Sequence, residues 1–339
     1  MSTRSLIVLP DDTGKQIIDA IKKAKKSIRV KMFIFSDPDL INAIIEAKKR
    51  GVKIDIMLNP ARRNGVEEND QVRKLLEEVG VEVRDSNPSF GITHEKSMVV
   101  DDELAIIHSL NWDTKNLNLS RDYAIITTHK HEVKEIISCF EADWNRIVFV
   151  PGTDAKLIWC TGNGRLRIAE LIDKAKYTLF VQNERYQDEV IVEHLVRAAI
   201  RGVKVHIMAK SPHSLKKQKL VEGVGGLRIL EDVGVKIHKL KKLKLHGKMI
   251  LADGERAIIG SINLAPGSFD DRRELAIEIH DEAIIKRLQE VANHDWENSK
   301  PLDLSDEGLF NDLENHNLGS SESLALEVDD KAVKHHKKH

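Results

Sequence analysis

Two stretches of the chain carry the same five polar residue types at the same spacing. Each reads His-x-Lys-x4-Asp, followed after seven residues by Ser-x-Asn, and the second copy begins 152 residues after the first. Unrelated stretches would rarely share five polar positions in one register, so the sequence indicates an internal duplication. The two sets are His94, Lys96, Asp101, Ser109 and Asn111, and His246, Lys248, Asp253, Ser261 and Asn263.

The two histidines, brought face to face, suit the cleavage of a phosphodiester. A neutral imidazole can attack phosphorus and form a covalent phosphohistidine, while a protonated imidazole donates to the leaving alcohol. A His pKa of about 6.5 allows one ring to be neutral and the other charged near neutral pH. The remaining polar groups would bind the phosphate oxygens, so the chemistry needs no metal and no cofactor. These groups are Lys96, Lys248, Asn111, Asn263, Ser109 and Ser261.

Two acidic residues stand in matching register downstream of the motifs, Asp122 in LSRDYAI and Glu274 in DRRELAI. A carboxylate there could accept the second ring N–H of a catalytic histidine, fixing its tautomer and raising its basicity. The motif aspartates Asp101 and Asp253 lie in predicted turns between strands. A role in the site and a turn-capping role fit them about equally, and we take the turn role as the working prediction.

The composition describes a globular protein of about two domains. The chain has 339 residues, 41% of them hydrophobic, which is enough to bury a core in each of two domains. Its net charge is −1, but the acidic excess after Pro301 leaves residues 1–300 at +4. This mild positive charge fits a phosphate-bearing partner, although the pI of 7.0 is far below the value above about 9 typical of nucleic-acid-binding domains.

Cysteine content and hydropathy indicate the compartment. Cys139 and Cys160 lie far apart without a CxxC motif, which supports neither a disulfide framework nor a thiolate metal site. No window is long and apolar enough for a signal peptide or a membrane span. We therefore expect a cytoplasmic protein, which would reach a lipid substrate as a peripheral enzyme at the inner membrane face.

Strands and helices alternate twice along the chain. RSLIVL, SIRVKMFIF and VKIDIML are typical of strands separated by amphipathic helices, and the succession restarts at Lys156. Segments outside the motifs also repeat, since RGVKIDIM recurs as RGVKVHIM. We predict two tandem, pseudo-symmetric α/β domains, each a mixed, largely parallel sheet flanked by helices. The predicted boundaries are 1–150, 151–300 and a flexible acidic, then His- and Lys-rich, tail at 301–339.

Two other segments have a plain structural interpretation. The cationic run His238–Lys244 fits a solvated edge strand better than an electropositive mouth that attracts phosphate. The Gly-rich EGVGGLRIL at 222–230 lacks the Gly-Lys-Ser/Thr ending of a nucleotide-binding loop, and we interpret it as a turn. The terminal KHHKKH fits a solvated terminus.

The paired motif resembles that of the phospholipase D superfamily, and the AxxRGV segment of each half is similar to its cardiolipin synthase-like bacterial branch. The resemblance covers about residues 1–300. It implies one active site at the interface of two α/β halves and a metal-independent transfer through phosphohistidine. By position, His94 and His246 are nucleophile and general acid/base, with His94 the favoured nucleophile. The first copy departs from the motif at His108, where the second has Gly260, which predicts imperfect symmetry behind the phosphate.

Three functions are open at this point. We favour hydrolysis or transfer of the phosphatidyl group of a phospholipid, as in a phospholipase D or a cardiolipin synthase. The alternative is a nuclease of the same superfamily with DNA or RNA as partner, but 4% aromatic residues leave few platforms for base stacking. A non-catalytic adaptor is disfavoured because both copies keep His, Lys and Asn. Since one chain holds both motifs, the site requires no oligomer.

Overall fold

A computed structural model describes residues 3–60, 62–63, 66–67, 69–210 and 217–315. The first half contains ten strands and five helices within these residues. They are β1 (Arg4–Leu9), α1 (Lys15–Lys23), β2 (Ser27–Met32), α2 (Pro38–Lys49), β3 (Lys53–Leu58), β4 (Arg62–Arg63), β5 (Val66–Glu67), α3 (Asp70–Glu78), β6 (Glu82–Asp85), β7 (Ile92–Thr93), β8 (Ser97–Val100), β9 (Leu104–His108), α4 (Thr114–Leu119), β10 (Ser120–Thr127) and α5 (Lys130–Trp144).

The second half repeats this succession and adds elements at its end. Its members are β11 (Leu157–Cys160), α6 (Gly164–Lys174), β12 (Thr178–Asn183), α7 (Glu189–Ile200), β13 (Lys204–Ala209), α8 (Lys217–Asp232), β14 (Lys236–Leu240), β15 (Lys244–Leu245), β16 (Lys248–Ala252), β17 (Arg256–Gly260), α9 (Pro266–Asp270), β18 (Arg272–Ile279), α10 (Glu282–Glu297), β19 (Ser299–Pro301) and α11 (Asp306–Asn315).

Each half forms one large mixed sheet, which confirms the predicted α/β class, and β4 pairs with β5 in a separate two-stranded sheet. The strand order is β1-β10-β9-β8-β2-β3-β6 in the first half and β11-β18-β17-β16-β12-β13-β14-β19 in the second. Strands β2, β3 and β6 pair in parallel, as do β12, β13 and β14, whereas the other neighbours on these paths are antiparallel. The expected predominance of parallel pairs is therefore wrong for the described residues. Tight turns join the motif strands β8 to β9 and β16 to β17, and such turns permit only antiparallel pairing.

Helices α2 and α7, which connect parallel strands, are each followed by a glycine. Gly51 follows α2 and Gly202 follows α7, with φ values of +87° and +90°. Nothing lies within 4 Å of the position that a Cβ would occupy at either residue. The left-handed backbone, rather than lack of space, therefore requires glycine at both points.

Three large apolar cores hold the layers together. One lies between the first sheet and helices α1–α4, and another between the second sheet and helices α6–α8. The third is shared between the halves, because the inner faces of both sheets and helices α5 and α10 contribute to it. This shared core fixes one half against the other and so positions any site built from both.

The chain after residue 300 differs from the predicted flexible tail. Strand β19 pairs with β14, and Leu302, Leu304 and Leu309 are buried against the second half. The prediction is therefore wrong for residues 301–315, whose leucines complete a core that the charge count alone could not reveal. Residues 316–339, with KHHKKH, lie outside the described part of the chain.

Two other segments also differ from expectation. EGVGGLRIL lies within helix α8 rather than in a turn, and a Cβ on Gly226 would come 2.0 Å from the carbonyl oxygen of Tyr186. That glycine thus serves close helix packing. The predicted edge strand at His238 lies between β13 and β19, and the imidazole stacks on Trp296 at a centroid distance of 3.9 Å. In the described residues, no helix is long and apolar enough to cross a bilayer.

Candidate active site

Each motif histidine follows a two-residue strand that pairs with the opposite half. Strand β7 pairs with β18, and β15 pairs with β10. The backbone N–H of His94 then donates to the carbonyl of Arg273 at 2.9 Å, and that of His246 to the carbonyl of Arg121 at 3.3 Å. The main chain of one half therefore positions the histidine of the other.

The carboxylates predicted to orient the histidines also act across the interface. His94 Nδ1 lies 2.9 Å from Glu274 Oε2, and His246 Nδ1 lies 2.8 Å from Asp122 Oδ1. All four side chains are buried. A carboxylate on Nδ1 holds the proton there, which leaves Nε2 of each ring as the nitrogen for chemistry.

The ionisation of Glu274 reflects this pairing. Burial by itself raises the pKa of the carboxyl, but the charge and hydrogen bond of His94, together with the charge of Lys96, oppose it. The net effect places the pKa of Glu274 below its ordinary value. Glu274 is therefore a carboxylate at neutral pH and stabilises a positive charge on His94.

Asp122 is held by two further side chains of its own half. Ser109 Oγ donates to Asp122 Oδ1 at 2.6 Å, and Asn116 Nδ2 donates to Oδ2 at 2.9 Å.

The two motif serines also contact the backbone of the carboxylate strands. Ser109 Oγ accepts from the backbone N–H of Tyr123 at 2.8 Å, and Ser261 Oγ accepts from that of Leu275 at 3.1 Å. The serines were expected to bind phosphate, whereas these contacts attach them to the strands that carry the carboxylates.

The two motif lysines lie beside the histidines. Lys96 Nζ donates to the carbonyl of His94 at 2.9 Å, and Lys248 Nζ donates to that of His246 at 2.6 Å. Lys248 Nζ also lies 3.3 Å from His246 Nε2. Both lysines are buried, so their charges act in a medium where they attract an anion more strongly than in water.

The motif asparagines are buried at matching positions in the two halves. Neither the amide nitrogen nor the amide oxygen of Asn263 has a hydrogen-bond partner in the described residues. A buried amide without partners costs about 1–3 kcal/mol, a cost that a bound ligand can offset. The amide N–H groups of Asn263 are thus suited to donate to a phosphate oxygen.

Asp101 and Asp253 make turn contacts. They occupy the turns after β8 and β16 with φ values of +55° and +56°. The carboxylate of Asp101 accepts three backbone N–H groups, from Lys25, Lys26 and Ser27. Asp253 accepts the three equivalent ones at 176–178. These contacts support the turn role, since each carboxylate fastens the hairpin to the start of a neighbouring strand.

His108 and Gly260 occupy equivalent positions in the two halves, but only the first half accommodates a side chain there. The imidazole of His108 is buried, and its Nδ1 donates to the carbonyl of Lys96 at 3.2 Å. Burial lowers the pKa of His108 to about 4, so the ring is neutral at pH 7. A Cβ on Gly260 would come 2.3 Å from the carbonyl oxygen of Leu275, so the second half has no room for a side chain there.

Sequence reasoning missed two buried ion pairs that cross the interface. Arg273 pairs with Asp143 through two bonds of 3.0 Å, and Arg121 pairs with Asp295 at 2.8 Å. Both arginines stand directly before the site carboxylates, and both pairs recur with the motif offset of 152. This repetition was a signal in the sequence that could have identified them.

A buried donor cluster next to His94 is organised around a lysine. Lys31 Nζ lies 2.9 Å from Glu95 Oε2, 2.6 Å from Asp143 Oδ2 and 3.2 Å from Cys139 Sγ. These three residues have the donor atoms of a metal site. The ammonium of Lys31 supplies the positive charge among them, so the cluster already has its cation.

Glu184 is another residue that the sequence analysis did not select. Its carboxylate lies 2.8 Å from Lys248 Nζ, 2.9 Å from Lys210 Nζ and 3.9 Å from His246 Nε2. The signal available in the sequence was its residue type, an acidic residue directly after a strand of the second half. The first half has the aromatic Phe33 at the matching point, so the two sides of the site differ in charge.

The amino-acid sequence of the chain is similar to a known protein family. A family model described as "Cardiolipin synthase, PLD-like domain" matches residues 17–144 and again residues 168–296. Cardiolipin synthase 1 of Staphylococcus aureus (strain COL) is 24% identical over 336 residues, covering 86% of this chain and 67% of that protein. The two matched ranges contain the two motifs, one in each.

Two solved structures are similar in fold. Phosphatidylserine synthase from Haemophilus influenzae Rd KW20 has a TM-score of 0.72 at 13% identity and covers 88% of this chain and 87% of its own. Polyphosphate kinase from Porphyromonas gingivalis has a TM-score of 0.70 at 14% identity, covering 88% of this chain but 48% of its own. At these identities the likeness shows the shared fold alone.

Proposed function

Because this chain belongs to the cardiolipin synthase, PLD-like domain family, we propose that it hydrolyses or transfers the phosphatidyl group of a phospholipid. Membership makes it a phosphodiester-transferring enzyme, which sets aside the non-catalytic adaptor. The observation that carries the proposal is the pair of His–carboxylate contacts across the interface, at 2.9 and 2.8 Å. They orient two imidazoles at one interface, as acid/base and nucleophilic chemistry on a single phosphate requires.

The proposed reaction has two steps and uses the side chains of both halves. His94 Nε2 attacks phosphorus, the bond from phosphorus to the leaving alcohol breaks, and His246 Nε2 gives its proton to that oxygen. Water or an acceptor alcohol then loses its proton to His246 and attacks phosphorus, which breaks the phosphorus–nitrogen bond. Lysines and asparagines neutralise the developing charge, so no metal ion takes part.

The asymmetry of the site supports this order of roles. Two carboxylates lie near His246, Asp122 at Nδ1 and Glu184 at 3.9 Å from Nε2. Asp122 favours the charged imidazolium that a general acid requires, while Glu184 offsets the charge of Lys248, which lies 3.3 Å from Nε2. The ring of His94 instead meets Phe33 edge-on at 5.1 Å, an apolar contact that suits a neutral nucleophile.

An exposed apolar segment beside the site fits contact with a bilayer. Ile147, Val148 and Val150 are 61%, 84% and 76% exposed in the connection between the halves. The ring of the intervening Phe149 lies 5.5 Å from the guanidinium of Arg273, whose carbonyl accepts the N–H of His94. We place this segment, residues 147–150, on the membrane surface, so that the protein acts as a peripheral enzyme.

A direct comparison of substrates tests the proposed function. One preparation is assayed with phosphatidylglycerol vesicles, with phosphatidylcholine vesicles, and with single- and double-stranded DNA, each with and without EDTA. We expect release of head group or exchange to an added alcohol from at least one lipid, with little change on chelation. Turnover of DNA alone would overturn the lipid assignment, and loss of lipid turnover with EDTA would overturn the metal-free mechanism.

A further inference from the structure

Glu184 and Phe33 occupy the same structural position in the two halves. Each is the first residue after a pseudo-equivalent strand, Glu184 after β12 and Phe33 after β2. Two residues later, each segment forms an isolated β-bridge, Tyr186 to Leu264 and Phe35 to Trp112. The two halves therefore share the backbone course here and differ in the side chain, an aromatic ring in the first and a carboxylate in the second.

This exchange changes the environment of the motif lysines. Lys96 Nζ lies 5.3 Å from the centre of the Phe33 ring, a cation–π contact with a group that carries no net charge. Lys248 Nζ instead meets the carboxylate of Glu184 at 2.8 Å, and the other oxygen of that carboxylate meets Lys210 at 2.9 Å. The side chain of Glu184 is only 6% exposed, so its negative charge is weakly screened by water.

A carboxylate beside a phosphate-binding lysine opposes a second negative charge on the ligand. A phosphodiester carries one negative charge, whereas a phosphomonoester carries about 1.5 to 2 near neutral pH. Both are attracted by Lys96 and Lys248, but the extra charge of the monoester is also repelled by Glu184. Discrimination of this kind acts through a repulsive element built into the site.

We propose that Glu184 is a specificity residue, which restricts the phosphate-binding site to singly charged phosphodiesters and disfavours doubly charged phosphomonoesters. The inference rests on the proposed function and deepens it. Hydrolysis of a phospholipid at this site would produce a phosphomonoester, so the same repulsion would promote release of product. Glu184 accepts no proton in the reaction and acts through the charge it adds beside Lys248.

Binding of two simple anions tests the proposal without any turnover. Inorganic phosphate, at a pH where it is mainly a dianion, and the monoanion dimethyl phosphate are titrated into the full chain by calorimetry. In Glu184→Gln we expect phosphate to bind about tenfold more tightly than in the wild type, a change of about 1.4 kcal/mol. Dimethyl phosphate should gain clearly less, because the lost repulsion acts on one charge only.

Matched variants separate charge from structure. Glu184→Asp keeps the charge and should restore the wild-type preference. Glu193→Gln, at an exposed pair with Arg197 on α7, should leave both affinities unchanged. If Glu184→Gln does not fold, Lys210→Met provides the test, since it removes a counter-ion of Glu184. Its affinity for phosphate should then fall more than its affinity for dimethyl phosphate.

The outcomes distinguish the two proposals. An equal change of both affinities in Glu184→Gln, or no change in either, overturns the specificity role of Glu184. If the selective change is found but no phospholipid is turned over, the lipid function fails while the charge selectivity of the site stands. If lipid is turned over and the selective change is absent, only the role of Glu184 fails.

Discussion

His94 Nδ1 and Glu274 Oε2 lie 2.9 Å apart although 180 positions separate the two residues in the chain. The reciprocal contact joins His246 to Asp122, 124 positions away. Each half thus carries the histidine that the other half orients. A single half would have a histidine without its carboxylate and a carboxylate without its histidine.

The crossed pairing predicts a large effect of Glu274→Gln. An amide can no longer stabilise the charged ring of His94, and loss of such an orienting carboxylate lowers kcat by up to about 10⁴-fold. Glu278→Gln, on the same strand and paired with Arg167, is the control and should keep near wild-type turnover. Turnover of phosphatidylglycerol vesicles measures both. Equal kcat for wild type and Glu274→Gln would contradict the orienting role.

The same substitution also alters acid stability. The pKa of Glu274 in the folded protein is below its ordinary value of 4.5, because burial, which raises it, is outweighed by the charge and hydrogen bond of His94 together with Lys96 and Ser261. Its stabilising contribution is therefore present above the unfolded pKa and is lost as pH falls through the folded pKa. Urea unfolding between pH 6 and about pH 3 should show a smaller loss of stability in Glu274→Gln than in the wild type.

Covalent trapping tests the assignment of roles to the histidines. Brief incubation with a labelled phosphodiester, followed by denaturation, should leave acid-sensitive label on the wild type and none on His94→Asn. His246→Asn retains the nucleophile, so it should accumulate label when the leaving group needs no proton. Label on His94→Asn together with none on His246→Asn would reverse the two roles.

The ion pair of Arg121 with Asp295 should contribute to the interface between the halves. Asp295→Asn leaves the buried guanidinium with only the 47% exposed Asp11, at 3.0 Å, as a counter-charge. Breaking a buried pair costs about 3–5 kcal/mol, and we expect the lower end of that range because Asp11 remains. Asp173→Asn, at a partly exposed contact with His194, should cost less than about 1 kcal/mol. Denaturant unfolding measures both free energies. Similar losses in the two variants would refute a special role of the buried pair.

His108 should make the fold sensitive to acid. Its pKa is about 4 in the folded protein against an ordinary 6.5, because burial disfavours the charged ring. Below pH 6.5 the unfolded chain takes up a proton that the folded chain does not, so stability is lost as pH falls toward 4. The loss approaches about 3 kcal/mol, and His108→Leu should abolish it. Parallel pH profiles of wild type and variant would contradict this account.

Membrane contact through residues 147–150 predicts a defect that depends on the form of the substrate. Val148→Asp with Val150→Asp should reduce co-sedimentation with phosphatidylglycerol vesicles several-fold, because charged groups resist insertion among lipids. Turnover of a soluble short-chain phospholipid should stay near the wild-type rate. Ile200→Asp, an equally exposed apolar position at the end of α7, is the control. Equal vesicle binding by all three proteins would place the membrane surface elsewhere.

The repeated motif and the class of fold can be predicted from the amino-acid sequence alone. A motif of five polar residues that recurs at one offset is visible in the sequence. The alternation of strands with amphipathic helices follows from hydrophobic periodicity. The matching register of Asp122 and Glu274 likewise identified the two carboxylates. These features are local, because each depends on residue types within a short stretch.

Which side chains contact one another depends on the packing of the two halves. Spacing cannot show whether His94 uses the carboxylate of its own half or the other, since that depends on how two sheets pack across the shared core. For the same reason the sequence did not identify Glu184, whose counterpart in the first copy is Phe33 and whose role depends on its contact with Lys248. It also did not reveal the burial of the leucines after residue 300, which depends on the open edge of β14. Contacts between distant segments are set by packing, and no single stretch of sequence contains them.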